Sequence, residues 1–239
     1  MTTRLAHLRF DANDPLGLAQ FWAGNLGWEI DESSQDEVRL LPTDGTPFGL
    51  TFLRVAEPKT RKNPIHLDLV SESVEHQREV VDRLIAIGAE RVDIGQGPDA
   101  EHVVLADPEG NEFCVVIRGE FLADTDYIGA VVFEPANPVT GYFWGDAIGW
   151  PVVYDQDGDV AIRSPDGQGP FITFGPPRVV ESGGNRLHLD LAPAAGSDQA
   201  TELSRLIALG AARIDPGRER GPELRLVDPD GNEFFVLSR

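Results

Sequence analysis

Histidine, carboxylate and thiol side chains occur at two-residue spacing in two segments of the sequence. His66 and Asp68 form one pair, and Glu112 and Cys114 form the other. Because successive side chains of a β-strand point to opposite faces, each pair shares one face if its segment is a strand. On neighbouring strands, the histidine and a carboxylate can hydrogen-bond and act as a general base. The alternative is a structural hydrogen-bond network.

The chain contains an internal duplication, which favours that structural alternative. Three blocks recur in the same order at offsets of 121 or 122 residues: His66–Leu69 at His188–Leu191, Arg83–Ala89 at Arg205–Ala211, and Asp107–Phe113 at Asp228–Phe234. The repeat length is that of a small domain rather than of a solenoid unit. We therefore predict two domains, residues 1–120 and 121–239.

Comparing the two copies separates the polar candidates into two groups. One group recurs, as His66 and His188, Asp68 and Asp190, and Glu112 and Glu233. The other does not, because His7, Arg9 and Cys114 are matched by Ala130, Val132 and Phe235. If one copy alone is active, the first copy is the better candidate.

Hydrophobic periodicity and turn residues predict one plan, βαβββ, twice within each copy. In the first copy the predicted strands are Leu5–Phe10, Trp28–Asp31, Val38–Leu41, Leu50–Val55, Ile65–Val70, Arg91–Ile94, Val103–Ala106 and Glu112–Ile117. One helix begins at Asp14-Pro15 and stops at Gly27, and the other covers Val74–Ile87. Among the aromatic residues, Trp28 and Phe52 are candidates for an apolar pocket wall.

Composition excludes several classes of partner. The chain has 239 residues, with 40 acidic against 20 basic side chains, so its field repels nucleic acid and anionic membranes. No apolar run is long enough to span a bilayer, and the first residues do not resemble a signal peptide. A single cysteine fits a reducing compartment. We expect a cytoplasmic protein with a small-molecule ligand.

The modules and blocks together resemble the vicinal oxygen chelate superfamily, which includes glyoxalase I, bleomycin-resistance proteins and extradiol dioxygenases. The resemblance rests on Phe21-Trp22 and Leu26-Gly27-Trp28, on His66–Leu69, and on Asp107–Cys114, each with its counterpart in the second copy. It is strongest for the glyoxalase-like subfamily. It implies an α+β fold of tandem glyoxalase-like domains, in which two βαβββ modules form a cup-shaped sheet with the helices outside.

The resemblance also implies where metal ligands would lie, on the first and last strands of paired modules. In the first copy these positions hold His7, His66 and Cys114, while Leu50–Arg54 supplies no ligand. In the second copy His188 is the one candidate donor, so we expect no metal there. A His7/His66/Cys114 set would suit zinc in domain 1. Since His66 recurs where no metal fits, we favour a chain without a cofactor.

The favoured function is binding of a small molecule in a cup-shaped pocket without a catalytic metal, as bleomycin-resistance proteins do. The alternative is a metal-dependent lyase or isomerase of glyoxalase type that uses domain 1, and a dioxygenase is least favoured. The candidate pocket residues are His7, Arg9, Trp28, Phe52, His66, Asp68, Glu112, Cys114, His188 and Glu233. The sequence leaves open whether the copies pair as an intrachain pseudo-dimer or the chain forms a homodimer.

Overall fold

The computed structural model describes residues 3–31, 34–97, 99–134, 137–175, 185–214 and 223–238. Over these ranges the chain forms four α-helices, one short 3-10 helix and two eight-stranded sheets. The α+β class and the tandem organisation expected from the sequence are confirmed. No helix in the described ranges is long and apolar enough to cross a membrane.

The first copy consists of modules 1 and 2, each with the predicted βαβββ order. Module 1 contains β1 (Arg4–Ala12), α1 (Pro15–Leu26), β2 (Glu29–Asp31), β3 (Glu37–Leu41) and β4 (Gly49–Arg54). Module 2 contains β5 (Ile65–Ser71), α2 (Val74–Ala86), β6 (Glu90–Arg91), β7 (Val103–Ala106) and β8 (Glu112–Ile117). A 3-10 helix, η1 (Glu120–Leu122), follows in the connection to the second copy.

The second copy consists of modules 3 and 4. Module 3 contains β9 (Ile128–Phe133), α3 (Pro138–Ile148), β10 (Val152–Gln156), β11 (Asp159–Ile162) and β12 (Phe171–Phe174). Module 4 contains β13 (Leu187–Ala192), α4 (Gln199–Leu209), β14 (Ala212–Arg213), β15 (Leu224–Val227) and β16 (Glu233–Val236).

Local signals located most element ends correctly. Gly27 ends α1 in the left-handed conformation, with φ of 72°, as its position after the apolar helix predicted. The strand expected at Arg91–Ile94 is shorter, because Gly95 takes φ of 89° and the chain turns there. Asp14 occupies the N-cap of α1, but its side chain makes no capping bond. Instead its N–H donates to the Glu109 carboxylate at 2.6 Å.

Each sheet contains one module from each copy. One sheet has the order β14-β15-β16-β13-β1-β4-β3-β2, and the other β10-β11-β12-β9-β5-β8-β7-β6. The copies meet where β1 pairs antiparallel with β13 and where β5 pairs antiparallel with β9. We call these the 1/4 sheet and the 2/3 sheet. The chain is therefore an intrachain pseudo-dimer, and this pairing differs from the expected one, in which the two modules of one copy share a sheet.

The two faces of each sheet have different roles. Leu67 and Leu69 on β5 are buried in one continuous core that includes residues of all four helices. His66 and Asp68 alternate with them and point to the opposite face. We call that opposite face the cup face, and each sheet with its cup face a cup. The core therefore lies on the helix side of the sheets, and the polar candidates lie away from it.

The repeated turn after β7 and β15 ties the modules of each copy together. The buried Asp107 carboxylate accepts hydrogen bonds from Trp22 Nε1 on α1 at 3.2 Å and from Asn111 Nδ2 at 2.9 Å. Asp228 bonds Trp144 Nε1 in the same way at 3.0 Å. Trp22 also packs edge-on against Phe113 of β8, with ring centroids 5.2 Å apart. These turn residues are therefore structural in both copies.

Candidate functional site

A buried cluster of histidine, carboxylate and thiol lies on the cup face of the 2/3 sheet. His66 and Asp68 are on β5, and register places Cys114 of β8 directly beside Asp68. The ligand atoms of the three side chains all lie within 4.8 Å of one another. His66 Nε2 is 3.3 Å from Asp68 Oδ1. This contact is not aligned as a hydrogen bond, and Oδ1 has no hydrogen-bond partner in the described parts of the chain.

The cluster, in which the side chain of Asp68 is 20% exposed, retains unused hydrogen-bonding capacity. The side chain of His66 is 8% exposed, and its Nδ1 also lacks a partner among the residues described. Buried polar atoms without partners are uncommon in folded proteins, because each carries a desolvation cost. Such atoms in a cluster indicate a place where a ligand can supply the missing partner.

An apolar patch continues from this cluster along the same face. Ala130, Ala161 and Phe171 form a buried hydrophobic group separate from the main core, with Val132 and Tyr154 packed against it. Register links the two regions, because Ala130 pairs with Asp68 on one side and with Phe171 on the other. A few polar groups beside apolar walls are the usual composition of a small-molecule site.

The connection between the copies adds an aromatic ring to this patch. Phe121 of η1 stacks on Phe171, with ring centroids 4.5 Å apart, and meets Tyr154 edge-on at 5.6 Å. The side chain of Phe121 is exposed, unlike Phe171. The three rings therefore form an aromatic wall at one side of the 2/3 cup.

The thiol of Cys114 is a poor nucleophile in this setting. Burial, followed by the negative charge of Asp68, raises the pKa of the Cys114 thiol above its ordinary range. The thiolate is the reactive form of cysteine, so the protonated thiol behaves as a small, weakly polar wall group.

The 1/4 cup has the same architecture but contains a different set of side chains. Arg9 of β1 bonds Asp190 of β13 through Nε at 3.0 Å and Glu223 through Nη2 at 2.7 Å. Its guanidinium carbon lies 4.1 Å from the ring centroid of Phe235. The side chains of Arg9 and Asp190 are 4% and 1% exposed. Arg9 thus lies buried between a carboxylate and an aromatic ring on this cup face.

Asp190 shows how strongly this ion pair is removed from water. Burial raises the pKa of Asp190 to about 7, although the neighbouring Arg9 guanidinium lowers it. The carboxylate therefore depends on Arg9 to remain charged in the folded protein.

The two cup histidines also differ in their contacts. His188 Nδ1 is 3.1 Å from the main-chain oxygen of Glu233, and its Nε2 is 3.7 Å from Asp11. The carboxylate of Glu233 accepts from Arg225 Nε at 3.0 Å. Glu112, its counterpart in the 2/3 sheet, pairs with Lys59 at 2.6 Å. Both glutamates therefore hold neighbouring chain segments, and His188 is buried on the cup face with acceptors near both ring nitrogens.

Two expected pocket residues lie on the other side of the sheet. Phe52 is fully buried in the core, with its ring centroid 5.2 Å from that of Phe10. Trp28 is also in the core cluster, and its Nε1 donates to Asp44 at 2.9 Å. The expectation that Phe52 and Trp28 line a pocket is therefore wrong. Sequence reasoning also missed Phe121, Tyr154 and Ala130 as members of the apolar patch. The one signal for Phe121 was its position as an aromatic residue in an otherwise polar connection.

The structure also separates the expected metal set His7/His66/Cys114. His7 is on β1 of the 1/4 sheet, while His66 and Cys114 are in the 2/3 sheet. In the described ranges, His66, Asp68 and Cys114 are the one group of three or more such donors close enough to share an ion. The carboxylate donor of a metal site would therefore be Asp68, the neighbour of His66 on its own strand.

The sequence as a whole matches one family model twice. A glyoxalase-like domain model matches residues 7–116 and again residues 130–237. The chain belongs to the glyoxalase-like domain family. No curated protein sequence matches this glyoxalase-like chain.

Solved structures agree with this assignment at the level of the fold. The glyoxalase-like chain is similar to glyoxalase I from Zea mays, at 14% identity and a TM-score of 0.64, over 99% of this chain and 92% of that chain. It is also similar to a Bacillus subtilis protein whose name assigns it to the dioxygenases, at 18% identity and a TM-score of 0.59, over 98% and 84%. The fold is thus that of the vicinal oxygen chelate superfamily, as the motifs predicted.

His7 gives this glyoxalase-like protein a pH-dependent stability. Burial, followed by repulsion from Arg39, Arg4 and Arg9, lowers the pKa of His7 from 6.5 to about 4. The unfolded chain therefore binds this proton at a higher pH than the folded chain does, and stability falls as the pH falls from 6.5 towards 4. We expect a loss of roughly 2 kcal/mol across this window, allowing for partial exposure of the ring.

Urea unfolding at several pH values checks this expectation. The His7→Gln variant should show a flatter dependence than the unsubstituted chain between pH 6.5 and 4. His76→Gln, a change on α2 and outside both cups, serves as the control for replacing a histidine elsewhere. Equal slopes in all three proteins would contradict the assignment to His7.

Proposed function

We propose that this chain binds a small organic molecule in the 2/3 cup without a catalytic metal. The observation that carries the proposal is the juxtaposition of His66 and Asp68, with buried atoms lacking partners, and the aromatic wall around Phe171. The 1/4 cup is a poorer candidate, because Arg9 and its two carboxylate partners fill it.

The surroundings of the cluster favour binding over metal-assisted catalysis. Zinc requires a deprotonated thiol, whereas burial and Asp68 keep the Cys114 thiol protonated in the absence of a cation. The other positions of the cup beside the cluster hold Ala130 and Val132, which supply no donor. Glu112 is held by Lys59 and by the N–H of Asn63.

A second candidate function, a metal-dependent lyase or isomerase of glyoxalase type, is favoured by the donor set itself. His66, Asp68 and Cys114 offer nitrogen, oxygen and sulfur atoms that all lie within 4.8 Å of one another, and three such donors would leave one position of a tetrahedral zinc site open. A bound zinc ion would polarise a carbonyl or hydroxyl oxygen of the substrate. In that case His66, Asp68 and Cys114 would hold the ion, and the aromatic wall would orient the substrate.

Binding of N-phenylnaphthylamine, an uncharged fluorescent probe of apolar sites, tests the first proposal. We expect saturable binding of one probe per chain. Phe171→Ala should weaken it roughly tenfold, because one aromatic contact surface is lost. Phe235→Ala, which removes an aromatic ring from the 1/4 cup instead, should leave the affinity unchanged. Unsaturable binding, or equal effects of both substitutions, would refute binding in the 2/3 cup.

Metal analysis separates the two candidate functions. Protein purified without chelators and without added metal should contain zinc, nickel and iron well below one ion per chain. Stoichiometric metal that is lost in both His66→Ala and Cys114→Ser, but retained in His188→Ala, would instead establish the metal-dependent alternative. Thermal unfolding of each variant checks that the fold is retained.

A further inference from the structure

We propose that the ligand of the 2/3 cup is an organic cation, a guanidinium or ammonium group on an apolar body, and that Asp68 binds its charge. This inference rests on the proposed binding function of the 2/3 cup. It follows from a comparison of the two cups, which are built from equivalent strands and differ at several positions, among them Arg9 and its counterpart Val132.

The 1/4 cup contains its own cation. Register places Arg9 of β1 opposite His188 of β13, and the Arg9 guanidinium reaches the Asp190 carboxylate two residues further along. The same guanidinium lies over the ring of Phe235. This cup therefore shows which group its geometry accommodates: a planar cation between a buried carboxylate and an aromatic face.

The 2/3 cup retains the carboxylate and lacks the arginine. Val132 of β9 stands opposite His66 of β5, as Arg9 stands opposite His188. Asp68 occupies the place of Asp190, with Ala130 opposite it where His7 stands opposite Asp190. A valine side chain ends several bonds short of a guanidinium. Among the residues that the structure describes, the cation that neutralises Asp190 thus has no counterpart at Asp68.

The other charged groups near the 2/3 cup have contacts of their own. Glu112 accepts from Lys59 at 2.6 Å, and Glu134 lies 3.2 Å from Lys62. Arg163, which lies over Phe171, donates to the main-chain oxygens of Gly169 and Asp124. Within the described residues, the one basic group in contact with the Asp68 carboxylate is the His66 imidazole. The Asp68 carboxylate, whose Oδ1 is buried although the side chain is 20% exposed, therefore favours a ligand that brings a cation.

The apolar patch indicates the chemistry of the uncharged part of the ligand. Ala130 lies between Asp68 and Phe171 in the sheet, so a molecule bound at the carboxylate extends directly towards the aromatic wall. Ala130 and Ala161 are themselves buried, and the exposed ring of Phe121 offers the apolar surface beside them. A cation bearing a flat apolar group matches both ends of the cup, whereas a bare metal ion would use the polar end alone.

Isothermal titration of the full chain with benzylguanidinium and with benzylurea tests the inference. The two probes match in shape, and one carries a charge that the other lacks. We expect one benzylguanidinium per chain, bound at least tenfold more tightly than benzylurea. Asp68→Asn should remove this preference.

A second pair of variants tests whether the two cups are equivalent. Val132→Arg should rebuild in the 2/3 cup the arrangement of Arg9 and Asp190, and so block benzylguanidinium. Val132→Met, of similar length but uncharged, should retain the preference for the charged probe. Thermal unfolding of every variant, with and without probe, confirms that the chain remains folded.

The outcomes separate this inference from the proposed function. Equal affinities for the two probes, or an Asp68→Asn variant that still prefers the cation, would overturn the inference and leave small-molecule binding in place. If the unsubstituted chain also fails to bind N-phenylnaphthylamine, the proposed function itself is refuted. Stoichiometric zinc held by Asp68 and Cys114 would overturn the inference, because the missing cation would then be a metal.

Discussion

Replacing Arg9 with methionine is expected to lower the free energy of unfolding by about 3–5 kcal/mol, because it strands a buried carboxylate. Asp190 is 1% exposed and has Arg9 as its ion-pair partner. Without the guanidinium, Asp190 must be buried unpaired or take up a proton. The variant should therefore lose more stability above pH 7 than below it, since burial already raises the pKa of Asp190 to about 7.

Urea denaturation of Arg9→Met beside Val132→Met provides the measurement and its matched control. Val132 is the counterpart of Arg9 and has no charged partner, so its replacement should cost less than about 1.5 kcal/mol. Adding Asp190→Leu to Arg9→Met should restore most of the lost stability, because the stranded charge is removed. If the double variant is as unstable as the single one, the loss comes from packing and not from the charge.

Replacing Asp107 with alanine is expected to cost about 3 kcal/mol, since several buried donors lose their acceptor together. Its carboxylate accepts from Trp22 Nε1, from the side-chain amide and N–H of Asn111, and from the N–H of Glu109. The bond to Trp22 also joins the turn of module 2 to the helix of module 1. The loss should therefore appear as a cooperative decrease in the thermal midpoint of the whole chain.

Two further variants test whether the Asp107 effect comes from the buried turn or from the indole hydrogen bond alone. Asp228→Ala removes the equivalent contacts to Trp144 and Asn232 and should cost a similar amount. Asp44→Ala also removes an indole partner, that of Trp28, but Asp44 is largely exposed, so the loss should be about 1 kcal/mol. Three equal losses would show that an indole hydrogen bond alone, and not the buried turn, sets the effect.

The sequence predicted the modules well because their signals are local. Alternation along Ile65–Ser71 assigned Leu67 and Leu69 to one face and His66 and Asp68 to the other, as the structure has them. The strand from Val103 to Ala106 has the predicted bounds, because polar and turn residues flank it. Such signals depend on a few neighbouring residues, all of which are visible in the chain.

The pairing of modules was not predictable in the same way. The first strands β1, β5, β9 and β13 carry the same alternation, so nothing local distinguishes which of them pair. The wrong grouping of His7 with His66 and Cys114 follows directly from this ambiguity. The face of β4 on which Phe52 lies was also not predictable, because an aromatic side chain suits either face of a strand. Its neighbour Thr51 lies on the cup face, so Phe52 lies in the core.

The covalent link between the copies has a consequence for how the two cups can change. In a homodimer of a single copy, the twofold axis would make both cups identical, and each substitution would enter both. In the joined chain, Arg9 and Val132 are encoded separately although they occupy equivalent strand positions. The 1/4 cup can therefore acquire the Arg9–Asp190 ion pair between its two modules, while the 2/3 cup remains open to selection for a ligand.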